Sequence, residues 1–158
     1  MRRLALIALA VLAPSACADA NAAPEAEVRP DADLPTVLVY KSPTCGCCNG
    51  WIEHMEAAGF TVDARDVRDL MSVKRDGGVP AQMSSCHTAI IDGYVVEGHV
   101  PAEQVKRLLA DRPEVAGIAV PGMPIGSPGM EGPNPQPYQV LSFTHDGQPA
   151  VFADVDPR

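Results

Sequence analysis

The hydrophobic pattern from residue 36 onward predicts two strands with a helix between them. Residues 36–40 (TVLVY) form a β-branched run typical of a buried strand, and residues 60–64 (FTVDA) alternate as a second strand does. Between them, residues 47–58 place apolar side chains at helical spacing, and Gly59 stands where a helix commonly ends. A strand, a helix and a strand within about 30 residues predict a βαβ unit.

The pattern that follows predicts a short helix, a hairpin and a longer helix. Residues 67–75 favour the short helix, and residues 88–91 and 94–96 are apolar runs joined by an Asp-Gly pair, a strong hairpin signal. Pro101 suits the first turn of a helix whose apolar stripe reaches Leu109. The resulting order, β-α-β-α-β-β-α, predicts an α/β thioredoxin-like fold, in which helices pack against a small sheet.

A loop and a hairpin extend this predicted domain at its C-terminal end. Residues 120–137 contain six prolines and four glycines, with Met123 and Met130 among them. A Pro/Gly loop of that length inside a compact domain is either disordered or functional. Residues 138–143 and 149–152 are two further runs joined through a second Asp-Gly pair, and they predict a closing hairpin.

The N-terminal residues resemble an export signal rather than part of the domain. Arg2 and Arg3 precede an apolar run that is too short to span a bilayer and has the length of a secretory signal. We expect residues 1–18 to be a signal peptide, residues 19–35 a disordered linker rich in Ala, Pro and acid, and residues 36–156 the folded domain. The expected location is the periplasm.

Cys17 leaves a second interpretation of this segment open. The sequence Pro14-Ser-Ala-Cys17 resembles a bacterial lipobox, in which the cysteine becomes a lipidated N-terminus. The signal would then end before Cys17, and an exported lipoprotein would be anchored to the membrane. Without lipidation we expect no membrane contact.

Charge excludes one class of partner. The chain carries 12 basic and 20 acidic side chains, a net charge of −8. Phosphate binding requires the opposite field, so a nucleic-acid partner is not expected.

The stretch KSPTCGCCNG places three thiols at the predicted start of the first helix. A helix start favours thiolates, which either exchange disulfides or bind metals. Cys86 supplies a fourth sulfur from the loop before the hairpin. Four cysteines in an exported protein ordinarily form two disulfides. Here that would require Cys45–Cys48 with Cys47–Cys86, a cramped arrangement because Cys47 and Cys48 are adjacent.

The third thiol, Cys47, favours a soft metal over a simple redox pair. A further thiol hinders clean disulfide exchange but adds a ligand, and thiolate and thioether ligands favour Cu(I). Three further residues are candidate ligands: His87 adjoins Cys86, and Met123 and Met130 supply thioethers on the Pro/Gly-rich loop, which we expect to be mobile. We interpret His99, which precedes the third helix, as a local cap, with metal ligation as the alternative.

Two alternatives remain open from the residues alone. One is a disulfide oxidoreductase that uses Cys45 and Cys48, with Val79-Pro80 in the place of the thioredoxin cis-proline. The other is a structural zinc site, since four cysteines suit Zn²⁺.

Four segments together resemble one bacterial family. They are YKSPTCGCCNGW at 40–51, GVP at 78–80, SCHTAIIDGYVVEGHVPAEQV at 85–105 and PGMPIGSPGM at 121–130. In these segments the chain resembles the CopG-like copper-resistance proteins, a family long described as a domain of unknown function. The resemblance covers about residues 36–153.

The resemblance implies a periplasmic, thioredoxin-like protein that binds copper through Cys45, Cys47, Cys48 and Cys86. It also implies that several copper ions share bridging thiolates and cycle between Cu(I) and Cu(II). Expected partners are copper ions and periplasmic copper exporters or chaperones.

Overall fold

The computed structural model describes residues 34–158, which form a mixed α/β fold around a seven-stranded sheet. The predicted signal peptide, the lipobox at Cys17 and the predicted linker up to residue 33 lie outside the described residues. No helix within residues 34–158 is long and apolar enough to cross a bilayer. The elements are β1 Val37–Lys41, α1 Gly46–Ala57, β2 Val62–Asp66, α2 Leu70–Asp76, a 3-10 helix Ala81–Met83, β3 His87–Ile91, β4 Tyr94–Glu97, α3 Ala102–Asp111, β5 Gly117–Ala119, β6 Tyr138–Phe143 and β7 Pro149–Val155.

The sheet has the strand order β2-β1-β3-β4-β5-β6-β7. β1 runs parallel to β2 and antiparallel to β3, and β3 and β4 form an antiparallel hairpin. Through α3 the element order is β-α-β-α-β-β-α, which confirms the predicted thioredoxin-like arrangement. The closing hairpin of β6 and β7 is also confirmed.

The β3–β4 hairpin follows from its two turn residues. Asp92 and Gly93 both have positive φ, 48° and 86°, as a two-residue hairpin turn requires. This turn sets the register in which Thr88 lies opposite Glu97. The same register determines which residues before Thr88 lie opposite the residues after Glu97.

The main core lies where α1 and α3 pack on the sheet. Burial of the apolar side chains between these helices and the sheet supplies most of the free energy that stabilises such a domain. The indole N–H of Trp51 is satisfied inside this core, since it donates to the Val100 carbonyl oxygen at 2.8 Å. The largest fully buried side chains of the cluster are Trp51, Met55, Ile91, Leu108 and Ile118.

Several boundaries differ from those that the sequence predicted. The second strand spans Val62–Asp66 rather than 60–64, and α2 begins at Leu70 rather than at residue 67. The later start of α2 has a local cause, because the Asp69 side chain accepts a hydrogen bond from the Ser72 backbone N–H at 3.1 Å and caps the helix.

β5 is the element that the sequence pattern did not predict. It contains only the three residues Gly117–Ala119, yet it pairs parallel with β4 and antiparallel with β6. It therefore joins the C-terminal hairpin to the thioredoxin-like part as one continuous sheet.

The Pro/Gly-rich loop is folded into tight turns. The Gly126 backbone N–H donates to the Met130 carbonyl oxygen at 2.9 Å, and the Met130 N–H donates to the Ser127 carbonyl oxygen at 2.8 Å. Ser127 is fully buried and donates from its hydroxyl to the Pro124 carbonyl oxygen at 2.8 Å. Of the two alternatives stated for this loop, the disordered one is wrong.

Candidate metal centre

The cysteine motif lies where the turn after β1 becomes the first turn of α1. Cys45 is the residue before the helix and has extended backbone angles (φ −79°, ψ 94°). The first turn of α1 carries no acidic side chain. Its free backbone N–H groups and the positive end of the helix dipole therefore favour anionic sulfur, the form that binds metals.

Cys86 comes to this helix start from the short loop between the 3-10 helix and β3. Its sulfur lies 3.8 Å from the sulfur of Cys47 and 3.6 Å from that of Cys48, and the sulfurs of Cys45 and Cys47 are 3.6 Å apart. All four sulfurs lie within 4.8 Å of one another. The fold thus gathers the four cysteines that the sequence singled out.

These sulfur separations suit a shared metal. Two sulfurs on one tetrahedral ion, with metal–sulfur bonds of about 2.3 Å, lie about 3.8 Å apart. The separations of 3.6 and 3.8 Å between Cys86 and its two sulfur neighbours match that value. Small adjustments would therefore let neighbouring sulfurs share ions.

Two of the four sulfurs are bonded to each other in this structure. Cys45 and Cys48 form a disulfide, while Cys47 and Cys86 are free thiols. Of the two disulfides that the cramped two-bridge alternative requires, only Cys45–Cys48 is formed among the described residues. A site with four thiolates requires that this disulfide first be reduced.

His99 lies beside Cys86 rather than at the cap of a helix. It was expected to be a local cap, but its Nε2 lies 2.8 Å from the sulfur of Cys86, and its Nδ1 lies 2.7 Å from the Pro128 carbonyl oxygen. Because a carbonyl can only accept, Nδ1 carries the proton and Nε2 turns a lone pair toward Cys86. The ring is therefore oriented as a metal-binding imidazole is.

The hairpin register was the signal that could have found His99. Thr88 pairs with Glu97, and the Gly98 N–H donates to the His87 carbonyl oxygen at 3.0 Å. Extending this register by one more residue on each strand places His99 opposite Cys86. Because a two-residue Asp-Gly turn fixes the strand register, this pairing can be counted from the sequence.

His87 lies beneath the sulfurs inside the core. Its Nδ1 lies 3.4 Å from the sulfur of Cys86, and its ring packs 4.5 Å from that of Trp51 and 5.1 Å from that of His99, centroid to centroid. The side chain is fully buried, and among the described residues its Nε2 has no hydrogen-bond partner. Cys86, His87 and His99 thus form a second group of potential ligands around one sulfur.

The thiol of Cys86 is protonated at neutral pH when no metal is bound. Burial, followed by the neighbouring Cys47, raises the pKa of Cys86 to about 12. Its S–H can therefore donate to the Nε2 lone pair of His99. A metal that binds Cys86 must displace this proton.

Acid is expected to destabilise the metal-free fold through His87. Burial, with smaller contributions from His99 and Lys74, lowers the pKa of His87 from 6.5 to about 3. Because the folded-state pKa lies below the unfolded one, this stabilisation is complete above the unfolded value and is lost as the pH falls toward the folded value. Urea unfolding of metal-free wild type and His87→Phe at about pH 7 and about pH 4 checks this. Equal losses of stability in both proteins would contradict it.

The Pro/Gly-rich loop reaches the centre through its backbone. Gly129 lies against the first turn of α1, where a Cβ on it would stand 2.6 Å from the Trp51 nitrogen, and its φ is +80°. A Cβ on Gly50 would in turn meet the Gly129 Cα at 3.0 Å. Met123 is exposed and Met130 half-buried on the same loop.

Gly129→Ala is expected to push this loop away from α1. The new methyl group has no space, and the positive φ is unfavourable for alanine, so we expect a loss of about 1–3 kcal/mol in the free energy of unfolding. Gly132→Ala, on the same loop but with negative φ, is the matched control. Denaturant unfolding measures both variants, and equal stability of the two would show that the contact with α1 is dispensable.

The chain is similar to one family model and to two solved structures. Residues 83–130 match the family model described as "Protein of unknown function, DUF411". The chain is also similar to the solved structure of "Copper resistance protein copG- Form 2", with 46% identity over 78% of this chain and 99% of that chain and a TM-score of 0.74. A second solved structure, "Copper resistance protein copG- Form 1", matches with 46% identity over 77% of this chain and 98% of that chain and a TM-score of 0.73.

Among the curated proteins, none matches the chain. The structural similarity nevertheless covers almost the full length of its solved relatives at high identity. The chain belongs to the CopG-like family of copper-resistance proteins.

Proposed function

We propose that this protein binds copper and contributes to copper resistance. The observation that carries the proposal is the convergence of four cysteine sulfurs within 4.8 Å of one another at the start of α1. Thiolate ligands favour soft metals, and Cu(I) is one of them. The solved relatives are described as copper resistance proteins, in agreement with this choice.

The proposed site holds several copper ions through bridging thiolates. Cys86 is its centre, because its sulfur faces Cys47, Cys48 and His99 at 3.8, 3.6 and 2.8 Å. Four thiolates on one monovalent ion would accumulate negative charge, whereas bridging sulfurs distribute that charge over several ions. His99 and His87 supply neutral nitrogen ligands on the inner side of the same sulfur.

Met123 and Met130 remain candidate thioether ligands in this proposal. The loop that carries them is fixed beside the centre, because the Pro128 carbonyl binds His99 and Gly129 packs on α1. Met123 is 51% exposed, which suits a first contact with incoming copper.

Redox chemistry fits the disulfide in the same centre. In the proposed reaction, Cys45 and Cys48 as thiols give two electrons to two Cu(II) ions, and the products are two Cu(I) ions, one disulfide and two protons. Cys47 and Cys86 stay available to hold Cu(I) after the disulfide has formed, as they are free in the oxidised protein. The reverse reaction would return Cu(II) and restore the thiols.

The proposal places this protein in the periplasm, delivered by the signal at residues 1–18 and anchored to the membrane if Cys17 is lipidated. Copper exporters or copper chaperones in that compartment are the proposed partners. The net charge of −8 supports a cationic cargo over nucleic acid.

A thiol-disulfide oxidoreductase is the second candidate function. The Cys45–Cys48 disulfide at a helix start favours it. Against it, the described residues contain no cis peptide bond, so Val79-Pro80 is trans and lacks the conformation assumed for this alternative. Two more thiols beside the disulfide would also trap mixed disulfides.

An anaerobic titration of the reduced protein with Cu(I), followed by absorbance and EPR, tests the proposed function. We expect tight uptake of more than one copper per chain and an EPR signal that appears on oxidation and disappears on reduction. Parallel titrations with Zn²⁺ and an insulin-reduction assay test the two alternatives. Preference for Zn²⁺, or insulin turnover without metal, would overturn the copper assignment, and copper uptake without a reversible EPR change would remove the redox step.

Cys47→Ser is expected to lower the number of coppers per chain and leave the fold intact. Its sulfur lies 3.6 Å from that of Cys45 and 3.8 Å from that of Cys86, which is the position of a bridge. The side chain is only half-buried, so its loss costs little stability. Metal analysis and circular dichroism measure the two effects. An unchanged copper-to-chain ratio would count against bridging by Cys47.

A further inference from the structure

We infer that the buried ion pair of Lys74 and Glu97 positions Cys86 for metal binding. The pair lies on the sheet face covered by α2, and neither residue belongs to the ligand groups. This inference rests on the proposed function, because it concerns the geometry of a ligand in that site.

The pair is buried, and each of its three polar side-chain atoms has a hydrogen-bond partner. The Lys74 side chain is 4% exposed and that of Glu97 0%, and the Lys74 ammonium donates to Glu97 Oε1 and, at 3.1 Å, to the Thr88 hydroxyl. Glu97 Oε2 accepts from the Thr88 hydroxyl at 2.7 Å. All polar atoms of the pair are therefore held by α2, β3 and β4.

One further bond leads from this network to the metal centre. The Ser85 backbone N–H donates to Glu97 Oε1 at 2.6 Å. Ser85 immediately precedes Cys86, so this bond fixes the peptide that carries the central sulfur. A carboxylate acceptor makes the bond shorter and stronger than a neutral one.

Ser85 also binds the Pro/Gly-rich loop, and it thereby connects that loop to Glu97. Its hydroxyl donates to the Gly122 carbonyl oxygen, and the Gly122 N–H donates to the Ser84 carbonyl oxygen at 3.3 Å. Gly98 allows this close approach, because a Cβ there would collide with the Ser85 side chain. Glu97 thus holds the residue through which β4, the Cys86 loop and the methionine-bearing loop meet.

Stability alone does not account for charges at this position. Replacing a buried ion pair by apolar residues of similar size is often neutral or stabilising. An apolar pair would leave Ser85 N–H without its acceptor and the Thr88 hydroxyl without its two partners. The central sulfur has neighbours on three sides, so a small rotation at Ser85 would move it away from them.

Two double variants separate the charges of the pair from the hydrogen-bond acceptor at position 97, which serves Ser85 N–H and the Thr88 hydroxyl. In Lys74→Met/Glu97→Gln the charges are gone but an amide oxygen still accepts from Ser85 N–H. In Lys74→Met/Glu97→Leu both the charges and the acceptor are gone. The two proteins differ only at position 97, where Gln and Leu have similar size.

Cu(I) affinity of the reduced variants is the first readout, measured by competition with a chromophoric Cu(I) chelator. We expect the Gln variant to bind as wild type does and the Leu variant to bind about tenfold or more weakly, as loss of an outer partner of a metal ligand typically does. The copper–thiolate absorbance should shift in the Leu variant only. Equal affinities and spectra in the two variants would overturn the inference.

Amide hydrogen exchange of the metal-free proteins is the second readout. The Ser85 and Cys86 amides should exchange faster in the Leu variant than in the Gln variant, while amides of α1 stay unchanged. Equal exchange would overturn positioning by Glu97 whether or not copper binds. If wild type itself fails to take up Cu(I), the proposed function fails, and the exchange result still decides the positioning.

A variant pair at Ser85 gives the same comparison if the Leu variant does not fold. Ser85→Pro removes the N–H donor and leaves Lys74 and Glu97 in place, and Ser84 already has the extended backbone (ψ 139°) that precedes proline. Ser85→Ala, which keeps the N–H donor, is its control. We expect weaker Cu(I) binding in the proline variant alone, and equal binding would overturn the inference.

Discussion

Cys86→Ser is expected to abolish the proposed multinuclear copper site and to be the most damaging single substitution among the proposed ligands. The sulfur of Cys86 is the point where Cys47, Cys48 and His99 meet, at 3.8, 3.6 and 2.8 Å. We expect Cu(I) affinity to fall by more than the roughly 10- to 100-fold that loss of an outer partner of a ligand costs. Competition with a Cu(I) chelator and metal analysis measure the change.

Cys47→Ser is the matched comparison for this variant. It removes one sulfur at the half-exposed rim of the centre, whereas Cys86→Ser removes the sulfur that also faces the two histidines. We expect Cys47→Ser to keep part of the copper and Cys86→Ser to keep almost none. Equal copper content in the two variants would show that Cys86 is not the centre of the site.

Glu97→Ala is expected to be the most destabilising single substitution outside the core packing. It leaves the Lys74 ammonium, 4% exposed, without a counter-charge, and it also leaves Ser85 N–H without its acceptor. Removing one partner of a buried ion pair typically costs about 3–5 kcal/mol. Denaturant unfolding of the metal-free protein measures the loss.

Lys74→Met/Glu97→Gln is the control for that loss. With both charges removed, no ion remains buried without a partner, so most of the stability should return. A Glu97→Ala protein as stable as wild type would mean that water reaches Lys74 and that the pair is not sealed. A double variant as unstable as Glu97→Ala would mean that the packing, not the charge, is what was lost.

Local sequence signals predicted most of the thioredoxin-like part. The apolar run of β1, the Asp-Gly turn of the β3–β4 hairpin and the glycine that ends α1 each act within a few residues, and the structure confirms each of them. Boundaries shifted where a cap decided them, as at Asp69. β5 escaped prediction because three residues are too few to show a period and are held in place by strands on both sides.

In the site, too, residues close together in the sequence could be predicted, and residues that only the fold brings together could not. Three cysteines in one turn identify the centre without any knowledge of the fold. The approach of His99 to Cys86 depends on hairpin pairing, and the contact of Pro128 with His99 depends on how the loop returns to α1. The outer network of Lys74, Glu97 and Ser85 combines residues of α2, β4 and a loop, which no spacing in the sequence connects.

In the proposed function, the redox state of the centre determines how much copper it can hold. With the Cys45–Cys48 disulfide formed, the ligands that remain are the thiols of Cys47 and Cys86 and the imidazoles of His87 and His99. Reduction returns two thiolates at the helix start, where the backbone favours negative charge. The proposed capacity for several ions therefore belongs to the reduced protein, and oxidation should release part of the load.

The most direct test of the account is the copper-to-protein ratio of the reduced domain, measured anaerobically after removal of loosely held metal. The account predicts more than one tightly bound Cu(I) per chain, and fewer once the Cys45–Cys48 disulfide has been formed. A reduced protein with all four thiols free that retains no Cu(I) would contradict it.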